Sequence, residues 1–323
     1  MTSAPLAGAP AAAGDRRSGL VSLIMPVWRP HATWLVNAVE SALGQADCAL
    51  ELIVVDDGCA EPVADLLAHI EDERLQVVRV EHGGTSRARN AGFAASHGDW
   101  IRFVDCDDVL EPDGTAHLLA VAGEGDVIAY GATIWCDEEL HPGWKMSSHL
   151  RGWAVAECLL NRFPVMLQAL LFPRSIVERA GEWDPEITVC QDWDFLLRAL
   201  ELAPVRGSDR TVSRYRRHPG AASAGLPHSE LSHRLSAEGM HLVMERYFDR
   251  HPEQRGTKLE RKARAQVELV MARSHREAYL VHLGRAVRDD RGDVLREIRL
   301  LLRLVASKAA RSLVHPVSRR EQA

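Results

Sequence analysis

The chain has 323 residues, 46% of them hydrophobic and 26% charged, which is enough for one large domain or two smaller ones. No stretch of the sequence approaches the ~18 consecutive apolar residues that a membrane span requires. Six scattered cysteines, with no Cys-x-x-Cys pair, favour the reduced thiols of a cytoplasmic protein over a disulfide framework.

The net charge of −6 conceals a strong asymmetry along the chain. Residues 1–205 hold 14 basic and 31 acidic side chains, a net of −17, whereas residues 206–323 hold 25 and 14, a net of +11. This asymmetry predicts an anionic partner for the C-terminal part, although attraction between the two halves explains it equally well. No basic motif is interleaved with aromatic residues, so nucleic-acid binding is not expected.

The first predicted elements alternate between strands and helices. Residues 1–18 are rich in Ala, Pro and Gly and lack a basic segment before an apolar one, which predicts a disordered leader rather than a signal peptide. Apolar runs predict strands at Leu20–Val27, Leu50–Val55, Leu75–Val80 and Trp100–Val104. Helical spacing predicts helices at Thr33–Leu43, Val63–Ile70 and Arg87–Ser96, the last capped by Ser86. This alternation indicates a parallel α/β sheet, whose ligands bind beyond the carboxyl ends of the strands.

Beyond Asp108 the periodicity is weaker. It predicts a strand at Asp126–Trp135, helices at Trp153–Leu160, Arg174–Arg179 and Asp192–Leu202, and a last strand at Thr211–Arg217. Pro219–Pro227 is typical of a linker. We therefore expect a sheet domain over residues 19–225 and a basic helical region over residues 226–323.

The basic helical region ends in a predicted amphipathic helix, Val294–Leu313, with arginines beside its apolar face. This pattern predicts peripheral contact with the anionic inner face of a membrane. Docking on the sheet domain or on a second subunit is the alternative, and the pattern does not separate the two.

Carboxylates crowd the end of the fourth predicted strand. Asp105, Asp107 and Asp108 follow the apolar residues there, and like charges so close raise each other's pKa unless a cation lies among them. Oxygen ligands at this density suit Mg²⁺ or Mn²⁺, which usually also hold substrate phosphates. Asp105 and Asp107 fall on one face of an extended chain, so these two are the predicted metal ligands.

Two further groups of candidates lie near other strand ends. Asp57 closes the second strand, where a carboxylate can accept hydrogen bonds from a nucleobase or a ribose hydroxyl; helix capping is the alternative, chiefly for Asp56. Arg87 and Arg89 follow a Gly-rich loop at a helix start, a setting that favours phosphate. For both arginines, a solvated helix face is the alternative.

The last candidates lie in the second half of the predicted sheet domain. Asp192 is a candidate general base, with an N-cap role as the alternative. Trp193 next to it belongs either to the core or to a stacking contact with a sugar. Arg216 and His218 are candidates for contact with a diphosphate or a metal, and a structural role is the alternative for the histidine.

Taken in order, these segments resemble family 2 glycosyltransferases, which have the GT-A fold. The matching segments are SLIMPVWRP (22–30), ELIVVDDG (51–58), GGTSRARNAG (83–92), GDWIRFVDCDDVLEPD (98–113), GEWDPEITVCQDWDFLLR (181–198) and YRRHPGAAS (215–223). The resemblance implies a Rossmann-like, mostly parallel central sheet flanked by helices, here with a C-terminal helical extension.

The resemblance also implies roles for individual residues. Pro26 and Val27 would line the nucleoside pocket, Asp57 would bind the base, and Arg89 would lie near the donor. Asp105 and Asp107 would form the D-x-D pair, with Asp107 the firmer metal ligand. Asp192 would be the catalytic base, and His218 would match a histidine often found after the last strand. Trp193 is the candidate acceptor contact.

Three positions depart from the family pattern. Cys59 stands where Ser is usual, His82 where Asn is common, and Gln191 where Glu is usual. The last departure puts in doubt a second acid that would assist Asp192. The proposed metal ligands and the proposed base are all present.

The implied activity is that of a metal-dependent, inverting hexosyltransferase, with Mg²⁺ or Mn²⁺ as the cofactor. It would move a sugar from a nucleotide sugar, most readily a UDP-sugar, to a hydroxyl of a saccharide, lipid-linked or other acceptor in glycan, polysaccharide or glycoconjugate biosynthesis. A sugar nucleotidyltransferase is one alternative, but it needs a Gly-rich basic loop after the first strand, and MPVWRPHATW offers a single arginine and no glycine. A non-catalytic nucleotide-sugar-binding protein is the other, although the retention of Asp107 and Asp192 speaks against it.

Overall fold

The structure is a computed structural model, and it describes residues 17–218, 230–274, 279–290 and 295. The chain divides into two compact units, Met1–Ser229 and Glu230–Ala323. Most of the predicted leader, the linker and all of the predicted last helix except Leu295 lie outside the described residues. The predicted domain boundaries and the predicted membrane contact stay predictions.

The first unit alternates strands and helices. In chain order it contains β1 (Arg17–Val27), α1 (Ala32–Leu43), β2 (Leu50–Asp57), α2 (Val63–Leu66), β3 (Leu75–Val80), α3 (Thr85–Ala95), β4 (Gly98–Phe103), β5 (Val109–Leu110), α4 (Gly114–Ala122), β6 (Ile128–Cys136), β7 (Pro142–Met146), β8 (Arg151–Gly152), α5 (Val155–Leu159), β9 (Leu170–Pro173), α6 (Arg174–Ala180), α7 (Gln191–Leu200) and β10 (Val205–Arg216).

The strands form one central, mixed sheet in the order β3-β2-β1-β4-β9-β6-β10-β5, with β7 beside β6 and β8 beside β10. The long strands pair in parallel, β1 with β2 and β4, β2 with β3, and β6 with β10. The short strands, including β9 between β4 and β6, pair antiparallel. The predicted α/β class, with a mostly parallel sheet flanked by helices, is confirmed.

Several elements differ from the sequence predictions. The sequence predicted neither α4 nor β9. The four apolar residues of β9 are too few to show the alternation typical of a strand. β10 begins at Val205, six residues before the predicted start, and β1 begins within the predicted leader at Arg17. Ser86 is not the N-cap of α3, because Gly84 takes that position with a φ of 88°, a conformation that favours glycine.

The two faces of the sheet carry different helices. On β4, Arg102 contacts Thr115 of α4, whereas Phe103 packs edge-to-face on Phe195 of α7 with ring centroids 5.6 Å apart. Adjacent residues of a strand point to opposite faces, so α4 and α7 lie on opposite sides of the sheet. Leu35 of α1 belongs to the same buried cluster as Leu118 of α4, which places α1 on the α4 face.

Arg102 is fully buried and joins four parts of the sheet domain. Its Nε donates to the carbonyl of Gln168 at 2.9 Å, Nη1 to the hydroxyl of Thr115 at 2.7 Å, and Nη2 to the carbonyl of Val212 at 3.0 Å. Burial lowers the pKa of this guanidinium to about 9. The side chain thereby links β4 to the segment before β9, to α4 and to β10.

The second unit contains three helices in its described residues, α8 (Glu230–Arg250), α9 (Lys258–Ser274) and α10 (Tyr279–Asp289). Arg255, between α8 and α9, donates to Glu245 at 2.9 Å, to Asp249 at 2.6 Å and to Glu260 at 3.2 Å. Across the part of the chain that the structure describes, we find no helix with the length and apolar character to cross a membrane.

We predict that Arg102→Ala lowers the free energy of unfolding by about 3 kcal/mol, because it opens a cavity and leaves three buried acceptors without a donor. Urea denaturation of the purified chain measures the loss. The matched control is Arg179→Ala, a half-exposed arginine 3.6 Å from Asp126, for which we expect a change below about 0.5 kcal/mol. Equal losses in the two variants would contradict the role assigned to Arg102.

Candidate functional site

Carboxylates meet at one edge of the sheet. Asp57 is the last residue of β2, and Asp105 lies two residues beyond the end of β4. These strands flank β1 and run parallel to it, so their carboxyl ends lie on the same edge, about 10 Å apart at the usual strand spacing. The predicted juxtaposition of the two acidic turns is therefore present.

The carboxylate of Asp57 is almost completely buried and is held by the loop before α3. Its oxygens accept hydrogen bonds from the amides of Gly83 at 2.8 Å and Gly84 at 3.0 Å, and Nδ1 of His82 lies 2.9 Å from Oδ2. The His82 ring stacks on Trp28, with centroids 4.5 Å apart and planes 13° from parallel. His82, the residue that departs from the family pattern, thus links this carboxylate to an aromatic surface.

Asp56, next to Asp57, is bound by a different set of donors and stabilises the fold. Its carboxylate accepts hydrogen bonds from the amides of Cys59 at 2.8 Å and Val63 at 3.1 Å and from Arg79 at 2.8 Å. Burial alone would raise the pKa of Asp56, but these hydrogen bonds outweigh it and hold the pKa below its usual value. Asp56 is not the N-cap of α2, which is Pro62, but its bond to the Val63 amide reaches the first residue of that helix, so its role is structural.

The end of β1 combines two buried residues with an exposed aromatic side chain. Pro26 and Val27, the predicted pocket-lining residues, are both buried, and Val27 belongs to the core cluster under α1. The next residue, Trp28, is 43% exposed, and the guanidinium carbon of Arg29 lies 4.2 Å from its ring centroid. Trp28 is therefore an accessible aromatic side chain at this strand end, and it was not among the predicted site residues.

Arg89 supplies a buried cation beside Asp105. Its Nη2 donates to Oδ1 of Asp105 at 3.1 Å, and its guanidinium carbon lies 4.4 Å from the ring centroid of Trp183. Within the described ranges, Nε and Nη1 of Arg89 have no hydrogen-bond partner. Arg87, the other candidate, is exposed, as its solvated-face alternative anticipated.

Asp107 is tied to the end of β10. Nε2 of His218 lies 2.9 Å from Oδ2 of Asp107, and Nε of Arg216 donates to the Asp107 carbonyl at 2.9 Å. Trp34 of α1 packs on the His218 ring with centroids 4.6 Å apart, and the Arg216 guanidinium carbon lies 5.1 Å from the Trp34 centroid. The turn after β4 and the last strand are thereby brought together.

Asp108 is buried and structural rather than available to a ligand. Its Oδ1 accepts a hydrogen bond from the amide of Arg216 at 2.8 Å, and its Oδ2 accepts one from Nε2 of Gln168 at 2.6 Å. Burial, with the nearby charges of Asp107 and Asp105, raises the pKa of Asp108 well above its usual value. The third acid of the turn therefore fixes the chain that carries the first two.

Asp192 lies in the first turn of α7, near the same carboxylates. The pKa of Asp105 is raised by burial, and the charges of Asp107 and Asp192 add to the rise while Arg89 opposes it. Asp192 is thus within electrostatic reach of Asp105, although 87 residues separate them in sequence. It is exposed and is not the N-cap of α7, a position that Cys190 takes with a φ of 64°.

Two side chains hold α7 and the segment before it. Nε1 of Trp193 donates to the carbonyl of Cys158 in α5 at 3.0 Å, so the indole nitrogen of this predicted acceptor contact is engaged by the protein. Asn90 of α3 donates to the carbonyl of Trp183 at 2.9 Å and accepts from its amide at 2.8 Å. The sequence analysis missed Asn90 and Trp34, and the asparagine within the GGTSRARNAG segment was the one available signal.

Asp105 and Asp107 retain free ligand capacity. Among the residues that the structure describes, Oδ2 of Asp105 and Oδ1 of Asp107 have no hydrogen-bond or ion-pair partner. These are hard, partly exposed oxygens of the kind that Mg²⁺ and Mn²⁺ prefer. The two carboxylates are therefore the residues that fit a divalent cation at this edge of the sheet.

A second acidic group lies on the turn between β6 and β7. Asp137, Glu139 and His141 are all exposed, and their ligand atoms lie within 4.8 Å of one another. Asp137 accepts hydrogen bonds from the amides of Glu139 at 3.1 Å and His141 at 2.8 Å, which accounts for the cluster as a turn. We assign no ligand to it.

The sequence of the sheet domain matches a known family. The family model described as Glycosyl transferase family 2 matches residues 22–192, more than half of the chain. The chain therefore belongs to glycosyl transferase family 2, and the family resemblance inferred from the motifs is confirmed.

Two curated relatives match parts of the chain. Succinoglycan biosynthesis protein ExoO of Rhizobium meliloti (strain 1021) is 41% identical over 107 residues, which are 33% of this chain and 29% of ExoO. Uncharacterized protein y4gI of Sinorhizobium fredii is 28% identical over 226 residues, which are 64% of this chain and 23% of y4gI. The matches thus cover less than a third of the length of either relative.

The solved structures agree on the fold. S. aureus TarS aligns with a TM-score of 0.53 at 13% identity, over 78% of this chain and 43% of that chain. TarS 1–349 in complex with UDP aligns with a TM-score of 0.50 at 12% identity, over 87% of this chain and 91% of that chain. At such low identity the likeness concerns the fold alone, and it confirms the predicted GT-A fold.

We predict that Asp108→Asn lowers the free energy of unfolding by less than about 1 kcal/mol, whereas Asp108→Ala lowers it by about 2–3 kcal/mol. Asparagine keeps an acceptor for the Arg216 amide. Its own side-chain amide can donate to Gln168 after the Gln168 amide rotates, because Oε1 of Gln168 has no hydrogen-bond partner in the described structure. Urea denaturation compares the variants. A loss in Asp108→Asn as large as in Asp108→Ala would show that a charged carboxylate is needed here.

Proposed function

We propose that the protein is an inverting, metal-dependent glycosyltransferase that moves a sugar from a UDP-sugar to an acceptor hydroxyl in polysaccharide or related glycan biosynthesis. One observation carries the proposal: Asp105 and Asp107, each with one oxygen free of protein partners in the described structure, lie at one sheet edge beside the buried guanidinium of Arg89. Membership of glycosyl transferase family 2 supports it, as does the name of the relative ExoO, a succinoglycan biosynthesis protein.

Asp107 and Asp105 would hold Mg²⁺ or Mn²⁺ through the oxygens that lack a protein partner. When bound, the cation supplies Lewis-acid neutralisation of the charge that develops on a departing nucleoside diphosphate. His218 and Arg216 would hold Asp107 in place, and Arg89 would bring a guanidinium toward the diphosphate.

The nucleoside would bind at the ends of β1 and β2. Asp57 would accept a hydrogen bond from the base, and the partly exposed Trp28, which lies against His82 and Arg29, would border the nucleoside. TarS, which has the same fold, has been solved with UDP, and this supports uridine as the nucleoside. Because the Asp57 oxygens already bind the 82–84 loop, a base would replace one of these contacts.

Asp192 would act as the catalytic base. In a single displacement, its carboxylate takes the proton from the acceptor hydroxyl while that oxygen attacks the anomeric carbon and the nucleoside diphosphate leaves. Its exposure in the first turn of α7 keeps the carboxylate open to an acceptor, and the Trp193 contact with α5 fixes the helix start. Most of the acceleration would come from positioning and from electrostatics.

We predict that Asp107→Ala weakens Mn²⁺-dependent UDP binding more than tenfold, about 1.4 kcal/mol or more, because it removes a ligand oxygen. Isothermal titration with UDP and Mn²⁺ measures the affinity, and addition of EDTA to the wild type is expected to give the same loss. Asp108→Asn is the matched control with unchanged UDP affinity, since its side chain bonds only to the protein. EDTA-insensitive UDP binding by the wild type would remove the metal from the proposal.

We predict that Asp192→Asn retains UDP binding but transfers sugar about 10²–10⁴ times more slowly, because the amide cannot take the acceptor proton. Release of UDP from a panel of UDP-sugars, with saccharide acceptors added, measures the rate. Glu182→Gln, an exposed carboxylate before the same helix, is the control that is expected to retain transfer. Full transfer by Asp192→Asn would exclude Asp192 as the base.

A further inference from the structure

We propose that an aromatic surface at the ends of β6 and β10 binds the saccharide acceptor; the assignment rests on the proposed glycosyltransferase function. This surface, the acceptor platform, consists of the exposed Trp144 and Arg217 and the half-buried Trp135, and it packs on the buried ring of Tyr215. None of these residues contributes to the donor and metal contacts described above.

The platform is built from neighbouring strands. Trp135 of β6 stacks on Trp144 of β7, with centroids 4.9 Å apart and planes 29° from parallel. Tyr215 of β10 is the register partner of Trp135 and packs on it with centroids 5.1 Å apart. The guanidinium carbon of Arg217 lies 5.4 Å from the Trp135 centroid. Strand pairing therefore fixes three aromatic rings and one cation side by side.

The platform lies at the sheet edge that carries the proposed metal ligands. β6 and β10 run parallel, and their register pairs Tyr215 with Trp135 and Arg216 with Cys136 at this end. Arg216, next to both Tyr215 and Arg217, donates through Nε to the Asp107 carbonyl at 2.9 Å. The platform and the turn that carries Asp107 therefore meet at the end of β10.

Distance separates the platform from the nucleoside end of the site. β2 and β6 are four steps apart in the sheet order, which corresponds to about 19 Å at the usual strand spacing. β4, which leads into the proposed metal ligands, is two steps from β6, or about 10 Å. The platform is therefore placed to hold the group on the far side of the reacting sugar, which in a transfer reaction is the acceptor.

The chemistry of the platform fits a saccharide. Trp144 is 52% exposed and is continuous with the half-buried Trp135 and the exposed Arg217, so it belongs to a patch and is not an isolated exposed side chain. The exposed part of the Trp144 ring can pack against the C–H face of a pyranose ring, and the guanidinium of Arg217 can donate to hydroxyl oxygens. Arg217 is exposed, so its donors are accessible to such a ligand.

The test is glycan binding by the full chain, with a printed array of bacterial polysaccharide fragments and β-linked oligosaccharides as the probe. We expect the wild type to bind at least one glycan, and Trp144→Ala to weaken that binding about tenfold or more. Trp144→Phe keeps a ring and is expected to stay within about threefold of the wild type. The matched control is Trp153→Ala, a tryptophan 65% exposed and outside the platform, for which we expect no change. Thermal melts of all four proteins verify that they fold.

Three results overturn the assignment. They are the absence of binding to every glycan, equal binding by Trp144→Ala and the wild type, and loss of UDP affinity in Trp144→Ala in place of glycan affinity. UDP binding by the wild type with Mn²⁺ is measured separately. If that binding is absent while glycan binding depends on Trp144, the donor proposal fails and the platform stands. If the wild type binds UDP but glycan binding does not depend on Trp144, the acceptor platform is excluded and the donor proposal stands.

Discussion

Negative charge concentrated at one edge of a sheet is the constraint on which this structure depends. Asp57, Asp105, Asp107 and Asp108 are brought together by strands that run in parallel, and mutual repulsion would push them apart without compensating donors. Each carboxylate has its own polar partner: the Gly83 amide for Asp57, the Arg89 guanidinium for Asp105, the His218 imidazole for Asp107 and the Arg216 amide for Asp108. At Asp105 and Asp107 the donors leave one carboxylate oxygen each without a partner in the described structure, and these are the oxygens that the proposed cation would bind.

The fold supports this edge from both sides. On the α4 face, the hydrogen bonds of Arg102 join β4 to α4 and β10. On the α7 face, Trp183 stacks on Phe195 with centroids 4.2 Å apart. Trp183 also contacts Arg89 and is held by Asn90, so the aromatic core and the charged site meet in one residue. A change in the packing of Trp183 would therefore displace the Arg89 guanidinium beside Asp105 without altering either proposed metal ligand.

The sequence predicted what is encoded locally. Apolar runs and helical spacing located β1 to β4 with their helices, and the acidic turns identified Asp57 and Asp105, because a strand end is visible in a short window. Arg102 and Asn90 were not predicted, because their partners are remote: Arg102 reaches acceptors 66, 13 and 110 positions away, and Asn90 pairs with a residue 93 positions away. β9 was missed for a related reason, since four residues between two other strands owe their conformation to those neighbours.

The alternation of side chains along β10 has a consequence for how the protein can diverge. Arg216 and Tyr215 sit back to back, one directed at the turn that carries Asp107 and the other at Trp135. Arg216 therefore supports the proposed metal ligands while Tyr215 supports the proposed acceptor platform. Inserting or deleting one residue between Val212 and Tyr215 would exchange the two sets at once. One register of this buried strand end thus sets both halves of the proposed site.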